Sequence, residues 1–152
     1  MERVLITLLL VGLIFSGTVS ATQYPFQEDD GYIVALTDVH SGIADEAAKD
    51  VAQAIAGLDI LPEQIFVGGD LTEMGSKYEF DQLQTNFKAI TETKIPVGWM
   101  MGNHDGRWSE HGFYLFEKEL GPHYFAIDFD KFVFIGLNSA TLLEQHGHFG
   151  SA

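Results

Sequence analysis

Three apolar runs recur along the chain, each closed by a polar cluster: Tyr32–Thr37, Gln64–Val67 and Ile95–Met101. Continuous β-branched and aromatic runs of this length predict strands buried on both faces. Between them, apolar residues fall at helical spacing. Ile43, Ala47, Val51, Ile55 and Leu58 make one stripe, with Asp45 and Glu46 in its first turn. Ser76 and Glu79 have the spacing of a capping box, and Phe80, Leu83, Phe87 and Ile90 form a second stripe. Strand, helix, strand, helix, strand predicts parallel pairing with right-handed crossovers. A third, short helix is expected over Phe113–Leu120, stopped by Gly121-Pro122. His123–Asp128 and Lys131–Leu137 then read as an antiparallel hairpin around a Phe129-Asp130 turn. The fold class is α/β: a βαβαβ unit, a short helix and a hairpin.

Ahead of the first run the pattern changes. An apolar stretch from Val4 to Phe15 follows Arg3 and gives way to small residues ending Val19-Ser20-Ala21. This is the pattern of a signal peptide over residues 1–21, with Ala21 the last residue before cleavage. An uncleaved anchor is the competing reading, and Glu2 weakens the positive start. A spanning helix needs about 20 apolar residues, however, and this run is shorter and holds Gly12, Ser16 and Gly17. Residues 22–31 are a polar lead-in, leaving 32–152 as the domain. The expectation is a secreted or periplasmic product with no stable membrane insertion after cleavage.

Composition narrows the partners. The 152 residues carry 22 Asp+Glu against 8 Lys+Arg, a formal net charge of −14. A binder of nucleic-acid polymer needs basic residues to displace phosphate counterions, so that class is disfavoured. Taken alone, the charge also disfavours a phosphate-bearing substrate. With 46% hydrophobic residues and 20% charged ones, the chain reads as globular. It has no cysteine, which excludes disulfides, thiolate metal sites and cysteine nucleophiles. A metal here must be held by His, Asp, Glu, Asn or backbone oxygen.

Each strand runs into residues of that kind. The first ends at Asp38-Val39-His40, the second at Gly68-Gly69-Asp70, the third at Gly102-Asn103-His104-Asp105. In an open parallel sheet the carboxyl ends of the strands share one edge, where ligands bind. Asp38, His40, Asp70, Asn103 and His104 are therefore expected to converge. Oxygen ligands mixed with imidazole suit Mn, Fe, Zn or a similar divalent ion. Asp70, after two glycines, can place its carboxylate between two such ions, as two-metal hydrolysis requires. Singly, each motif also reads as a polar turn. Three in order, each after a buried strand, favour a metal site.

Asp38-x-His40, Gly69-Asp70 and Gly102-Asn103-His104-Asp105 resemble the first three motifs of the calcineurin-like metallophosphoesterase superfamily. Gly69-Asp70-Leu71-Thr72, with Tyr78 and Phe80 downstream, and Gly102 through Trp108 are similar to its cyclic-nucleotide-phosphodiesterase-like branch. The resemblance covers nearly all of residues 31–150. It implies the N-terminal part of an αββα sandwich and hydrolysis of phosphomonoesters or phosphodiesters, cyclic nucleotides among them. The nucleophile would be a hydroxide activated by two divalent ions. Asp38 and His40 would hold the first metal, Asp70 would bridge both, and Asn103 would bind the second. His104 would serve the ester oxygen without binding metal, and Asp105 would hold its imidazole in the useful tautomer. Bound cations would set the field at the site, so the net charge no longer disfavours an anionic small-molecule substrate.

The resemblance also implies further histidines, one alone and then a Gly-His-x-His. The chain offers only His146-Gly147-His148-Phe149, followed by Gly150. A solvated loop is the favoured reading of that segment, and a C-terminally truncated member is expected. A truncated sandwich would leave the 123–137 hairpin with an exposed apolar face. Arg107 and Trp108 fit either a substrate entrance or an ordinary loop; Glu73, three residues after Asp70, is within reach of the metals, but surface placement is favoured. Trp99, Met100 and Met101 read as core. Two other functions compete with the phosphoesterase: an incomplete fragment that binds metal or phosphate without turnover, and an acidic secreted interaction module. The oligomeric state is not legible.

Overall fold

The computed structural model describes residues 31–129 and 132–140. The expected signal segment 1–21, residues 22–30 of the lead-in, Asp130 of the hairpin turn and the His146–Phe149 segment lie outside the described residues. The elements run β1 (Ile33–Thr37), α1 (Asp45–Ala56), β2 (Gln64–Gly68), α2 (Lys77–Asn86), α3 (Lys88–Thr93), β3 (Val97–Met100), α4 (Asn103–Arg107), α5 (Phe113–Leu120), β4 (Phe125–Asp128) and β5 (Val133–Gly136). The first three strands form a parallel sheet in the order β1-β2-β3, and β4 pairs with β5 antiparallel. This is the mixed α/β architecture expected from the sequence, with a parallel three-stranded sheet and an antiparallel hairpin.

Strand order explains which face the helices cover. Both crossovers step across the sheet in the same direction, so right-handed connections put α1 and α2–α3 on one side. Alternate residues of the strands meet them there: Val34, Leu36, Ile65 and Val67 share a core with Ala48, Ala52, Ile55, Phe80, Leu83 and Ile90. Phe87 joins this core and meets Trp99 edge-on at 5.1 Å.

The opposite face is closed by the hairpin. Phe66, on the centre of β2, is 1% exposed and stacks on Phe134 with ring centroids 3.5 Å apart. Phe125 lies parallel to the same ring at 6.3 Å. Gly98 on β3 makes room for this stack, since a Cβ there would sit 2.7 Å from Phe66 Cδ1. The hairpin's other face is open, with Val133, Ile135 and Leu137 all more than half exposed. The expected exposed apolar face is therefore present among the described residues.

Local chemistry accounts for the helix starts. At α2 the capping box is complete: Glu79 N–H donates to Ser76 Oγ at 3.3 Å, and Ser76 N–H donates to Glu79 Oε2 at 2.9 Å. One expectation needs correction. The single helix through Phe80 and Ile90 is two, broken at Phe87, whose ψ of 8° takes it out of the helical well. The stripe continues across the break because Phe87 still faces the sheet. Asn103–Arg107 forms the short helix α4, whose first turn is closed by Gly102 N–H donating to Asp105 Oδ2 at 2.8 Å.

Candidate metal centre

The loops leaving β1 and β2 are tied together by their backbones. Asp38 N–H donates to Gly69 O at 3.2 Å, His40 N–H to Asp70 O at 2.9 Å and Ser41 N–H to Leu71 O at 2.8 Å. The third strand joins through Gly69 N–H to Met100 O at 2.9 Å. These bonds hold the chain in an unfavourable conformation. Asp38, His40 and Asp70 have φ of 56°, 46° and 48°, in the left-handed region that L-residues avoid. Each such residue costs on the order of 1–3 kcal/mol and persists only where its surroundings fix it. Three of the four described non-glycine residues with positive φ are thus residues that the sequence marks as ligands.

Gly102 is required at the meeting point for a different reason. A Cβ there would lie 2.1 Å from Asp70 N and 2.3 Å from Asp70 Oδ1, so no larger residue lets the loops close. Closure brings His104 N–H onto Asp70 Oδ1 at 3.0 Å. The imidazoles of His40 and His104 then meet edge-on, with centroids 4.9 Å apart.

Among the described residues two groups of side chains have donor atoms close enough to hold a cation: Asp38, His40 and Asp70, and His40, Glu73 and His104, each within 4.8 Å. The first group fits a divalent ion. His40 Nε2 is 4.0 Å from Asp38 Oδ1, and two ligands about 2.1 Å from one ion lie at most about 4.2 Å apart. The donors are two carboxylates and an imidazole, the mixture that borderline divalent ions take. His40 is also presented in the form a ligand needs. Its Nδ1 is 2.8 Å from Glu73 Oε2, so Nδ1–H donates to the carboxylate and the lone pair is left on Nε2.

Glu73, for which the sequence favours a surface position, has a side chain only 31% exposed that lies between both histidines. Besides serving His40, its carbonyl oxygen is 2.7 Å from His104 Nδ1. A carbonyl only accepts, so Nδ1 carries the hydrogen and Nε2 is the free ring atom of His104. One residue thus sets the tautomer of two imidazoles. The only sequence signal was its position three residues after Asp70.

Asp105 is placed differently from its expected role. Its carboxylate is fully buried and accepts from Thr72 N–H, Thr72 Oγ1 and Gly102 N–H, each at 2.8 Å. It therefore clamps the second loop onto α4, and the Glu73 carbonyl occupies His104 Nδ1 in its place. Burial pushes its pKa up to about 6, against these hydrogen bonds. Asn103 opens α4 and is half-buried, one residue before His104. Among the described residues no helix is long and apolar enough to cross a membrane.

The sequence model of the calcineurin-like phosphoesterase family matches residues 31–151. No curated protein matches the chain. The match spans most of the sequence, and the chain belongs to this family, whose chemistry is metal-dependent phosphoester hydrolysis.

Proposed function

We propose that this calcineurin-like phosphoesterase hydrolyses small phosphate monoesters or diesters with two divalent ions of the Mn, Fe or Zn kind. Asp38, His40, Asp70 and Asn103 would hold them. Bound ions supply Lewis acidity toward the phosphoryl oxygens and a water acidic enough to attack at neutral pH. The rest falls to the chain's own groups. Glu73 holds the hydrogen of His40 on Nδ1 and so turns the Nε2 lone pair toward the ions. His104, fixed through Nδ1–H, has Nε2 free to donate to the ester oxygen when protonated, which eases its departure. Asp105 keeps α4, and with it Asn103 and His104, against the second loop.

The observation that carries this reading is the meeting of Asp38, His40 and Asp70 within 4.8 Å, beside His104 on the same edge. The test is turnover of 4-nitrophenyl phosphate and its bis-ester with added Mn²⁺, beside Asp70→Asn and His104→Ala. Metal-dependent turnover lost in both variants supports hydrolysis. No turnover, with a thermal midpoint that rises on adding metal, supports the binding-only alternative. An ion at 100 times its Kd stabilises the fold by about 2.7 kcal/mol, well within reach of a melting experiment. Absence of both effects removes the metal centre. The signal-peptide pattern over residues 1–21 supports a periplasmic or extracellular site of action.

A further inference from the structure

Arg107 and Trp108 stand apart from the rest of the chain. Arg107 is the one arginine after Arg3 in a sequence of 22 acidic residues. Its guanidinium lies over the Trp108 ring, 4.4 Å from the centroid. Its Nε is buried with no hydrogen-bond partner among the described residues. Trp108 is 47% exposed, whereas Trp99 packs into the core.

Their position ties them to the metal centre. Arg107 follows Asn103 by four residues and His104 by three on α4, which puts all three along one side of a single helical turn. The other two loops repeat the arrangement. Ile43, 71% exposed, follows His40 by three residues, and Met74, 46% exposed, follows Glu73 directly. Each loop that brings polar groups to the centre therefore also carries a large exposed apolar side chain. An exposed indole one residue past this helix suits an ester whose anionic end sits at the cations and whose body is apolar and flat.

We propose that Arg107 and Trp108 are the specificity-determining pair for phosphate esters bearing a planar aromatic group. Trp108 stacks on that group with the ring face the guanidinium leaves open, and Arg107 holds the ring and donates to an anionic oxygen of the ester. This rests on the phosphoesterase reading of the same site. Stacking of a base on an aromatic side chain, as in proteins that bind single-stranded nucleic acid, implies a preference of roughly tenfold.

The probes are phenylphosphonate and methylphosphonate, which share the anionic head and differ only in the ring. As inhibitors of bis-4-nitrophenyl phosphate turnover, phenylphosphonate should bind the wild-type protein about tenfold tighter. Trp108→Ala should remove the preference, Trp108→Phe should keep part of it, and Arg107→Gln should weaken both phosphonates. In a Trp99→Phe background with Zn²⁺ present, phenylphosphonate alone should quench the Trp108 fluorescence. Equal inhibition by the two phosphonates, or a preference that survives Trp108→Ala, overturns the proposal. If no turnover is seen, the phosphoesterase reading fails by itself, and the fluorescence titration decides the aromatic subsite: quenching by phenylphosphonate alone upholds it, and its absence overturns it.

Discussion

The body of the parallel sheet and its carboxyl edge obey different rules. In the body, local preference and tertiary structure agree. Ile65, Val67, Phe80 and Leu83 are fully buried, and the α2 cap satisfies its own orphan donors. Even the buried Gln64 amide finds two acceptors, Ile65 O and Pro96 O, each at 3.0 Å. At the edge the same chain breaks those preferences. Three L-residues sit at positive φ, Asp38, Asp70 and Glu73 crowd around two imidazoles, and Asp105 is buried without a cation. Sequences specify a fold by agreement across levels, and disagreement collects where a ligand supplies what the chain lacks. The body stabilises the fold with enough margin to hold the edge in a conformation it would not choose alone.

The largest effect should come from Asp70→Asn. Asparagine tolerates the left-handed region, and its side-chain oxygen can still accept from His104 N–H. The metal-free fold should therefore keep its thermal midpoint. Residues one shell removed from a metal already cost 10–100-fold when mutated. Loss of this carboxylate should then lower metal-dependent turnover by at least about 100-fold. A clear fall in the metal-free midpoint would show that Asp70 belongs structurally to the body, and the comparison would break. Phe80→Ala is the converse. Phe80 is fully buried and meets Phe116 edge-on at 6.2 Å, so its truncation should cost about 3–5 kcal/mol in a urea titration. Metal affinity measured on the fraction still folded should not change.

The difference between the regions also explains what the sequence disclosed. Strands β1, β2 and β3, the α1 stripe, the α2 cap and the hairpin follow from periodicity, because in the body local signals and packing agree. The break at Phe87 was hidden, since the apolar stripe runs through it and only the backbone departs from the helix. At the edge, residue types and their order after each strand were enough to expect Asp38, His40 and Asp70 to converge. Partnerships were not legible there. Glu73 and Asp105 lie 32 residues apart, and which carboxylate serves which histidine depends on how two loops cross. In place of the expected Asp105–His104 pairing, the buried carboxylate accepts from Thr72 and Gly102, and His104 Nδ1 meets the Glu73 carbonyl.

A smaller effect tests whether burial at the edge is costly. The folded pKa of Asp105, about 6, lies above its ordinary value of 3.8. Between these values the folded state holds a proton that the unfolded chain has released. Stability therefore falls as pH rises from about 4 to about 6 and levels off above. Asp105→Asn cannot ionise and should lack this slope. The variant's midpoint minus that of the wild type, both metal-free, should rise across that window. A flat difference would mean that the three donors fully offset the burial.

The smallest effect lies on the boundary between the two regions. Ser76 caps α2, so it belongs to the body, yet its partner Glu79 reaches into the site loop. Glu79 Oε2 accepts from Ser76 N–H at 2.9 Å, from Ser76 Oγ at 2.8 Å and from Met74 N–H at 3.1 Å, next to Glu73. Ser76→Ala deletes the hydroxyl alone, which should cost about 1 kcal/mol of stability. The bonds from Ser76 N–H and Met74 N–H survive, so Glu73 keeps its place and metal-dependent turnover should not move. Glu79→Ala removes the acceptor from both backbone groups. If the edge depends on the body for its geometry, this second variant should lower turnover as well as stability. Equal turnover in the two variants would show that Glu73 is held from the His40 side alone.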